Sequence, residues 1–342
     1  MTDPRVVFLR GTGLPFVEGE RLVHRFESLL LDHKVKIAPG SKLEEIALTV
    51  TEYLALQRRE ITLDPRTDRR DQWLRMLGLL DLVRKLLAAG GSKRFARLVP
   101  HLRLFSTLTA DPSQNAPTHR DDDANHKLFE LLIAAAAERF CDDLFIEGPK
   151  AHSTTTPDLT VESDGRRWGV ACKVLHSDKT TTYRDRVLEA IEQIDRADVD
   201  KGIVLINVKA LAPVDEFLPF GRKSKEEPYE VYETDEAWGS HVKEFLRRLV
   251  QRMAEERQAL VDAFRGSKAE PVVAHYLQSM VLRRRDGEPR MTPFVTLGLS
   301  EFHADGQDLS PEANRFLGKL AFAIQWGQTE RFVDFADRMP TT

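Results

Sequence analysis

The segment RRWGVACKVL, residues 166–175, constrains the fold more than any other part of the chain. Alternate side chains of a strand share a face. One face of this segment carries Gly169, Ala171, Lys173 and Leu175, and the other carries Trp168, Val170, Cys172 and Val174. Apolar residues on both faces mark a central strand covered above and below, which calls for helical layers on either side of a sheet. Lys173 is then a lone cation in an otherwise apolar strand, and burying it is costly unless an opposite charge meets it.

The neighbouring segments supply both the layers and the partner. PDLTVES (157–163) reads as a strand with proline at its start, and SDGR as a turn, so a hairpin leads into the lysine strand. DLFIEG is a short strand before it. Residues 125–140, NHKLFELLIAAAAERF, form a helix that is apolar nearly all round and so buried. Residues 183–197 form an amphipathic helix with Val187, Ala190, Ile191 and Ile194 on one side, and KGIVLINV is an apolar strand. This order of elements gives an α/β core in which helices flank a mixed sheet. The hairpin brings Asp158 towards Lys173.

Before this core the chain is helical. Residues 18–31, 43–56 and 69–89 carry apolar side chains at helical spacing, clearest in Trp73, Leu77, Leu80 and Leu87, and a further helix is expected over 93–105. TADPSQNAPTHRDDDAN lacks periodicity and reads as a linker, so the expected division is a helical domain at 1–118 and an α/β domain at 119–342. Farther on, PVDEFLPFGRKSKEEPYEVYE is loop-like and 235–264 reads as one long helix. Residues 272–282 and 292–299 read either as two strands or as parts of a helix and a strand. Pro311–Trp326 reads as a closing helix capped by Ser310.

An aspartate and a lysine meeting at the end of a buried hairpin have two explanations. One is a structural ion pair. The other is a metal site, in which carboxylates hold a hard cation and an ammonium orients water and stabilises charge on a phosphorane. The string PDLTV, a short gap, then WGVACKVLHS resembles the PD-(D/E)XK, restriction-endonuclease-like nuclease superfamily, whose pattern is Pro-Asp on one strand and acid-any-Lys on the next. The resemblance extends to the preceding helix with Glu130, the following helix with Gln193 and the apolar strand after it, and covers roughly a quarter of the chain. It implies a restriction-endonuclease-like mixed sheet and hydrolysis of DNA phosphodiester bonds with Mg²⁺ or Mn²⁺. Asp158 and Glu130 would ligate the metal, helped by the backbone carbonyl of Cys172. Lys173 would serve the attacking water, and Gln193 would hydrogen-bond the site or the substrate. Lys173, His176 and Arg186 would contact nucleic acid. The general setting of such nucleases is restriction, repair or defence against foreign DNA, and many act as homodimers.

Ala171 departs from that pattern, because a methyl group cannot ligate Mg²⁺ where the family has Asp or Glu. Three accounts stand open. Another acid substitutes, from Glu189, Glu192 or Glu162; the alanine was introduced to trap an inactive form; or the domain binds nucleic acid without cutting. On a helical wheel Glu189 and Glu192 lie away from the apolar stripe of their helix.

Other features bound the reading. The formal charge of −4 does not announce a polyanion binder, although basic clusters occur at Arg166–Arg167, at Arg222, Lys223 and Lys225, and at Arg283–Arg285. With 42% apolar and 30% charged residues the chain reads as a soluble protein, without an apolar leader or a run long enough to span a membrane, so the cytoplasm is the expected location. The two cysteines and ten histidines show no zinc-type spacing. Phosphate-loop and GxSxG signatures are absent.

Overall fold

A computed structural model of the chain describes residues 5–7, 16–57, 60–62, 67–113, 123–150, 156–212, 214–217, 235–285, 288–303 and 309–326. In chain order the elements are β1 (Arg5–Val7), α1 (Phe16–Asp32), α2 (Lys42–Gln57), α3 (Arg70–Ala89), α4 (Val99–Leu102), α5 (Asp123–Ala137), β2 (Asp143–Ile146), β3 (Leu159–Ser163), β4 (Arg166–Val174) and α6 (Thr180–Arg196). There follow β5 (Lys201–Asn207), α7 (Val214–Phe217), α8 (Asp235–Arg252), α9 (Arg257–Phe264), β6 (Ala269–Arg285), β7 (Glu288–Glu301) and α10 (Pro311–Trp326).

The strands form one mixed sheet in the order β1-β7-β6-β5-β4-β3-β2. β4, β5 and β6 run parallel to one another, with α6 crossing between β4 and β5, and the remaining pairs are antiparallel. Two apolar layers cover the sheet. Trp168, Val170 and Cys172 of β4 face the layer made by α1 to α5 and α10, where Trp168 stacks on Phe316 with ring centroids 4.5 Å apart. Ala171 and Leu175 face the layer made by α6, α8 and α9. The alternation read from the sequence therefore describes the two faces of β4. The chain is α/β, with helices on both faces of a mixed sheet and a helical region before it.

The helical region and the α/β core share one apolar cluster, which runs from Leu22 and Leu80 through Phe129 and Val170 to Ile324. The expected division near residue 118 lies outside the described residues. Three local expectations change. Residues 93–105 are not one helix but a 3-10 turn (Lys93–Arg97), α4 and a second 3-10 turn (Arg103–Ser106); Pro100 lacks the N–H that a continuous helix needs there. The long helix over 235–264 is two helices, α8 and α9, joined by the 3-10 turn Ala254–Glu256. The ambiguous pair at 272–282 and 292–299 resolves into the long antiparallel hairpin β6–β7. The basic residues at 222–225 lie outside the described residues. The closing helix is capped as expected: Ser310 Oγ accepts from the Ala313 N–H at 3.2 Å.

The register that positions the site comes from the β3–β4 hairpin. Its two-residue loop, Asp164-Gly165, has φ of +55° and +69°, a turn of the mirror-image type that matches strand twist. This fixes Ser163 opposite Arg166 and Leu159 opposite Val170. One step beyond the end of β3, the same register sets Asp158 across from Ala171, on the face that carries Lys173. The space around the Gly165 Cβ position is open, so only its backbone conformation selects glycine there. Gly165→Val should lower the unfolding free energy by about 1–2 kcal/mol through left-handed strain alone. Urea denaturation measures this, and a neutral result would show that the turn does not depend on a left-handed residue.

Candidate functional site

Three strands end together and deliver charge to one place. β2 runs into Glu147, whose N–H donates to the Asp158 carbonyl at 3.0 Å, so the ladder continues one step past β3. Asp158 turns back onto β4, where its Oδ2 accepts from the Cys172 N–H at 2.7 Å. Lys173 follows directly on β4. Helices close the place from both layers. α5 presents Lys127 and Glu130, one turn apart, and α6 presents Arg186, Glu189 and Gln193 at spacings of three and four residues.

The contacts knit these groups together. Lys127 Nζ donates to Glu130 Oε2 at 2.9 Å and to Glu147 Oε2 at 3.1 Å. Thr156 Oγ1 donates to the other oxygen of Glu147 at 3.2 Å. Glu130 also lies within hydrogen-bonding reach of the Asp158 carboxyl. Lys173 Nζ donates to Gln193 Oε1 at 2.7 Å and stands 3.4 Å from Glu189 Oε1. Arg186 donates to the second oxygen of Glu189 at 2.8 Å. Nearby, His126 of α5 and His176 after β4 lie with near-parallel rings and Nε2 atoms 3.5 Å apart.

Electrostatics follow from burial. Lys127, Glu130, Glu147, Asp158, Lys173 and Gln193 are all buried. Burial raises the Asp158 pKa, against the charge of Lys173, the Cys172 N–H and Lys127. Burial and the Asp158 carboxyl push Glu130 up to about 9, against the pull of Lys127. In the absence of another cation, the two facing carboxyls thus retain a proton far above the ordinary range. Burial disfavours the Lys127 ammonium, but Glu130, Asp158 and Glu147 outweigh it and hold the pKa above its usual value. Burial also opposes ionisation of Glu189, and here Lys173 and Arg186 win and keep its pKa low. Burial raises the Cys172 thiol well above its ordinary range, so its side chain is a neutral apolar group. Burial and then the Arg186 charge lower the His176 pKa.

Of the residues singled out in the sequence, Glu130, Asp158, Lys173 and Gln193 therefore converge, with Cys172 contributing its N–H to Asp158. His176 and Arg186 lie within electrostatic reach of one another beside them. Among the alternatives for the missing acid, Glu189 approaches Lys173, whereas Glu192 pairs with Arg196 and Glu162 is exposed opposite Arg167. The helical wheel was right that Glu189 is not buried, since its side chain is 39% exposed, but it took no account of the reach of a lysine arriving from the strand beneath. Lys127, Glu147 and Thr156 were not anticipated. The signal for Lys127 was present, because a lysine in a helix apolar nearly all round needs a partner as much as Glu130 does.

Among the described residues no three His, Cys, Asp or Glu side chains stand preassembled around a metal position. The open depression on α1 lined by Glu20, Arg21 and His24 shares no residue with this cluster. No helix among the described residues is long and apolar enough to cross a membrane. Compared with family models, curated proteins and solved structures, the chain matches none.

The carboxyl pair makes stability depend on pH. Glu130 keeps its proton up to about 9 in the folded chain and releases it near its ordinary 4.5 when unfolded. Between those values the folded state binds the extra proton. Its stabilising effect is complete below about 4.5 and is lost as pH rises through 9. In chelator, the unfolding free energy of the wild type should therefore decline with pH across this window, by at most about 1.4 kcal/mol per pH unit, relative to Glu130→Gln. Urea denaturation at a series of pH values reads the difference; parallel profiles would mean that the pair holds no such proton.

Proposed function

We propose that the chain is a divalent-metal-dependent nuclease of the PD-(D/E)XK, restriction-endonuclease-like kind, which hydrolyses DNA phosphodiester bonds. The observation that carries this reading is the convergence of Asp158, Glu130 and Lys173 at one end of the sheet, in the order and on the elements where the resemblance expects them. A hard divalent ion suits the donors. Glu130 and Asp158 are two buried carboxyls facing one another, and like charges so placed need a proton or a cation between them. Mg²⁺ and Mn²⁺ accept one or two carboxylates and fill their remaining positions with water and substrate phosphate, so three preassembled side chains are not required.

Asp158 and Glu130 would hold the ion, which when bound would supply Lewis-acid polarisation of the phosphate. The residues of the chain do the rest. Lys173, anchored by Gln193, orients the attacking water and stabilises the charge that gathers on the phosphate oxygens. Glu189 supplies a further carboxylate beside Lys173, as a base and not as the metal ligand that Ala171 lacks. Its carboxylate is kept ionised by Lys173 and Arg186, is partly open to solvent, and accepts the proton of the attacking water. The water oxygen bonds to phosphorus, the bridging P–O bond breaks, and the leaving oxygen takes a proton from solvent. Arg186 and His176 lie on the accessible side and contact the backbone of the nucleic acid.

A second reading has one observation in its favour. Ala171 is fully buried in the apolar layer under α6, so the usual second acid has been replaced by packing. On that reading the domain binds nucleic acid without cutting. Incubation of supercoiled plasmid with Mg²⁺ or Mn²⁺ separates the two. Cleavage should occur in the wild type and fall by about 100-fold or more in Asp158→Asn, Lys173→Ala and Glu189→Gln, and stay unchanged in Glu192→Gln. Salt-dependent DNA binding with no cleavage would establish the second reading, and cleavage undiminished in Asp158→Asn would overturn the first.

A further inference from the structure

The acidic end of the site already contains a cation of its own. Lys127 is 6% exposed at its side chain and faces two carboxylates at hydrogen-bonding distance, Glu130 at 2.9 Å and Glu147 at 3.1 Å, with the charge of Asp158 also within reach. The buried His101 imidazole of α4 lies within electrostatic reach as well. Lys173 also acts on Asp158 through its charge, but its hydrogen bond goes to Gln193 and its near carboxylate is Glu189 of the other layer, so Lys127 is the ammonium that bonds the two glutamates. Three carboxyl groups thus meet in a place almost closed to water, where Lys127 bonds both glutamates and Lys173 approaches from the aspartate side.

The two carboxyl groups that Lys127 bonds are not equivalent. Glu147 is fixed. Its backbone is in the ladder with Asp158, one oxygen takes the Thr156 hydroxyl and the other takes Lys127. Glu130 is held by Lys127 on one side and faces Asp158 on the other. The Glu147 bond therefore anchors the ammonium, and the Glu130 bond is the one that a competing cation would contest.

We infer that Lys127 is the resident counter-cation of the Glu130–Asp158–Glu147 cluster, a positioning residue that orients Glu130 in the metal-free protein and sets how strongly the site binds a divalent ion. The inference rests on the metal-binding reading of Glu130 and Asp158. Its physical basis is competition: an ammonium among carboxylates in low dielectric repels any second cation and occupies an oxygen that the ion would use. The same ammonium leaves the cluster near balance with one divalent ion bound, so that a phosphodiester can approach without net repulsion.

The test titrates the full-length protein with Mn²⁺ alone by calorimetry, without DNA, and measures thermal melting in chelator and in Mn²⁺. Wild type, Lys127→Met, Lys127→Gln, Lys127→Arg and Asp158→Asn are compared. Removing the charge should tighten Mn²⁺ binding by about tenfold or more. It should also lower the melting temperature in chelator and enlarge the rise in melting temperature that Mn²⁺ produces. Lys127→Arg should bind Mn²⁺ as the wild type does. Lys127→Gln keeps the question answerable if Lys127→Met does not fold, because the amide can still donate to Glu147. Unchanged or weaker Mn²⁺ binding in both neutral variants would overturn the inference and leave Lys127 a structural ion pair, with the metal site intact. Failure of the wild type to bind Mn²⁺, or equal binding by Asp158→Asn, would overturn it at its foundation, together with the metal reading.

Discussion

The cost of burying charge organises this molecule. Three strands end beside one another and turn Glu147, Asp158 and Lys173 into an interior that two helical layers have sealed. No ionised group survives there alone, since each demands a partner or a proton. Every notable contact in the region answers that demand: the Cys172 N–H on Asp158, Lys127 between two glutamates, and Gln193 and Glu189 on Lys173. The apolar layers make the arrangement both expensive and strong. The same Asp158 and Lys173 on an open sheet edge would be hydrated and only weakly coupled.

The backbone contributes as much as the side chains. A two-residue turn with both residues left-handed locks β3 against β4, and a shift of one residue would throw Asp158 to the face opposite Lys173. The parallel crossover through α6 then returns Glu189, Gln193 and Arg186 over the end of β4. α5 sits on the other layer, packed by Phe129, Leu132 and Ile133, and carries Lys127 and Glu130 to the same end. Site and fold thus depend on one another: the register gives the aspartate its lysine, and the layers give both their low-dielectric surroundings.

Much of this was legible in the sequence, and the legible parts share a cause. The two-faced apolar strand, the Asp-Gly turn and the amphipathic α6 are local patterns whose physics acts within a few residues. That is why the alternation of Trp168, Val170 and Cys172 against Ala171 and Leu175 separates the two apolar layers. The convergence of Glu130, Asp158, Lys173 and Gln193 was legible only as an ordered set of elements. What stayed hidden depended on reach and on long-range partners. Glu189 lies off the apolar stripe of its helix and comes to the site because Lys173 extends up to it. Lys127 is defined by Glu147, twenty residues away and just past the end of a short strand. Over 93–105 apolar spacing suggested one helix, while Pro100, which lacks the N–H a continuous helix needs, leaves two 3-10 turns with the short α4 between them.

Exposure varies across the cluster in a way that gives it a direction. Lys127, Glu130 and Glu147 are sealed beneath α4 and α5, with side chains at most 9% exposed. Glu189 and Arg186, on α6, are 39% and 42% exposed, and His176 is intermediate. A nucleic-acid backbone approaching from solvent would therefore meet the arginine, the histidine and the ionised glutamate first, then Lys173, and only then the carboxyl pair. An acid at position 171 would lie under α6 in the apolar layer, at the foot of that approach. The acid at position 189 stands on the solvent side, where its charge is hydrated and screened. With Ala171 in the strand and Glu189 on the helix, Lys173 has a carboxylate beside it while the layer beneath α6 holds no buried charge at position 171.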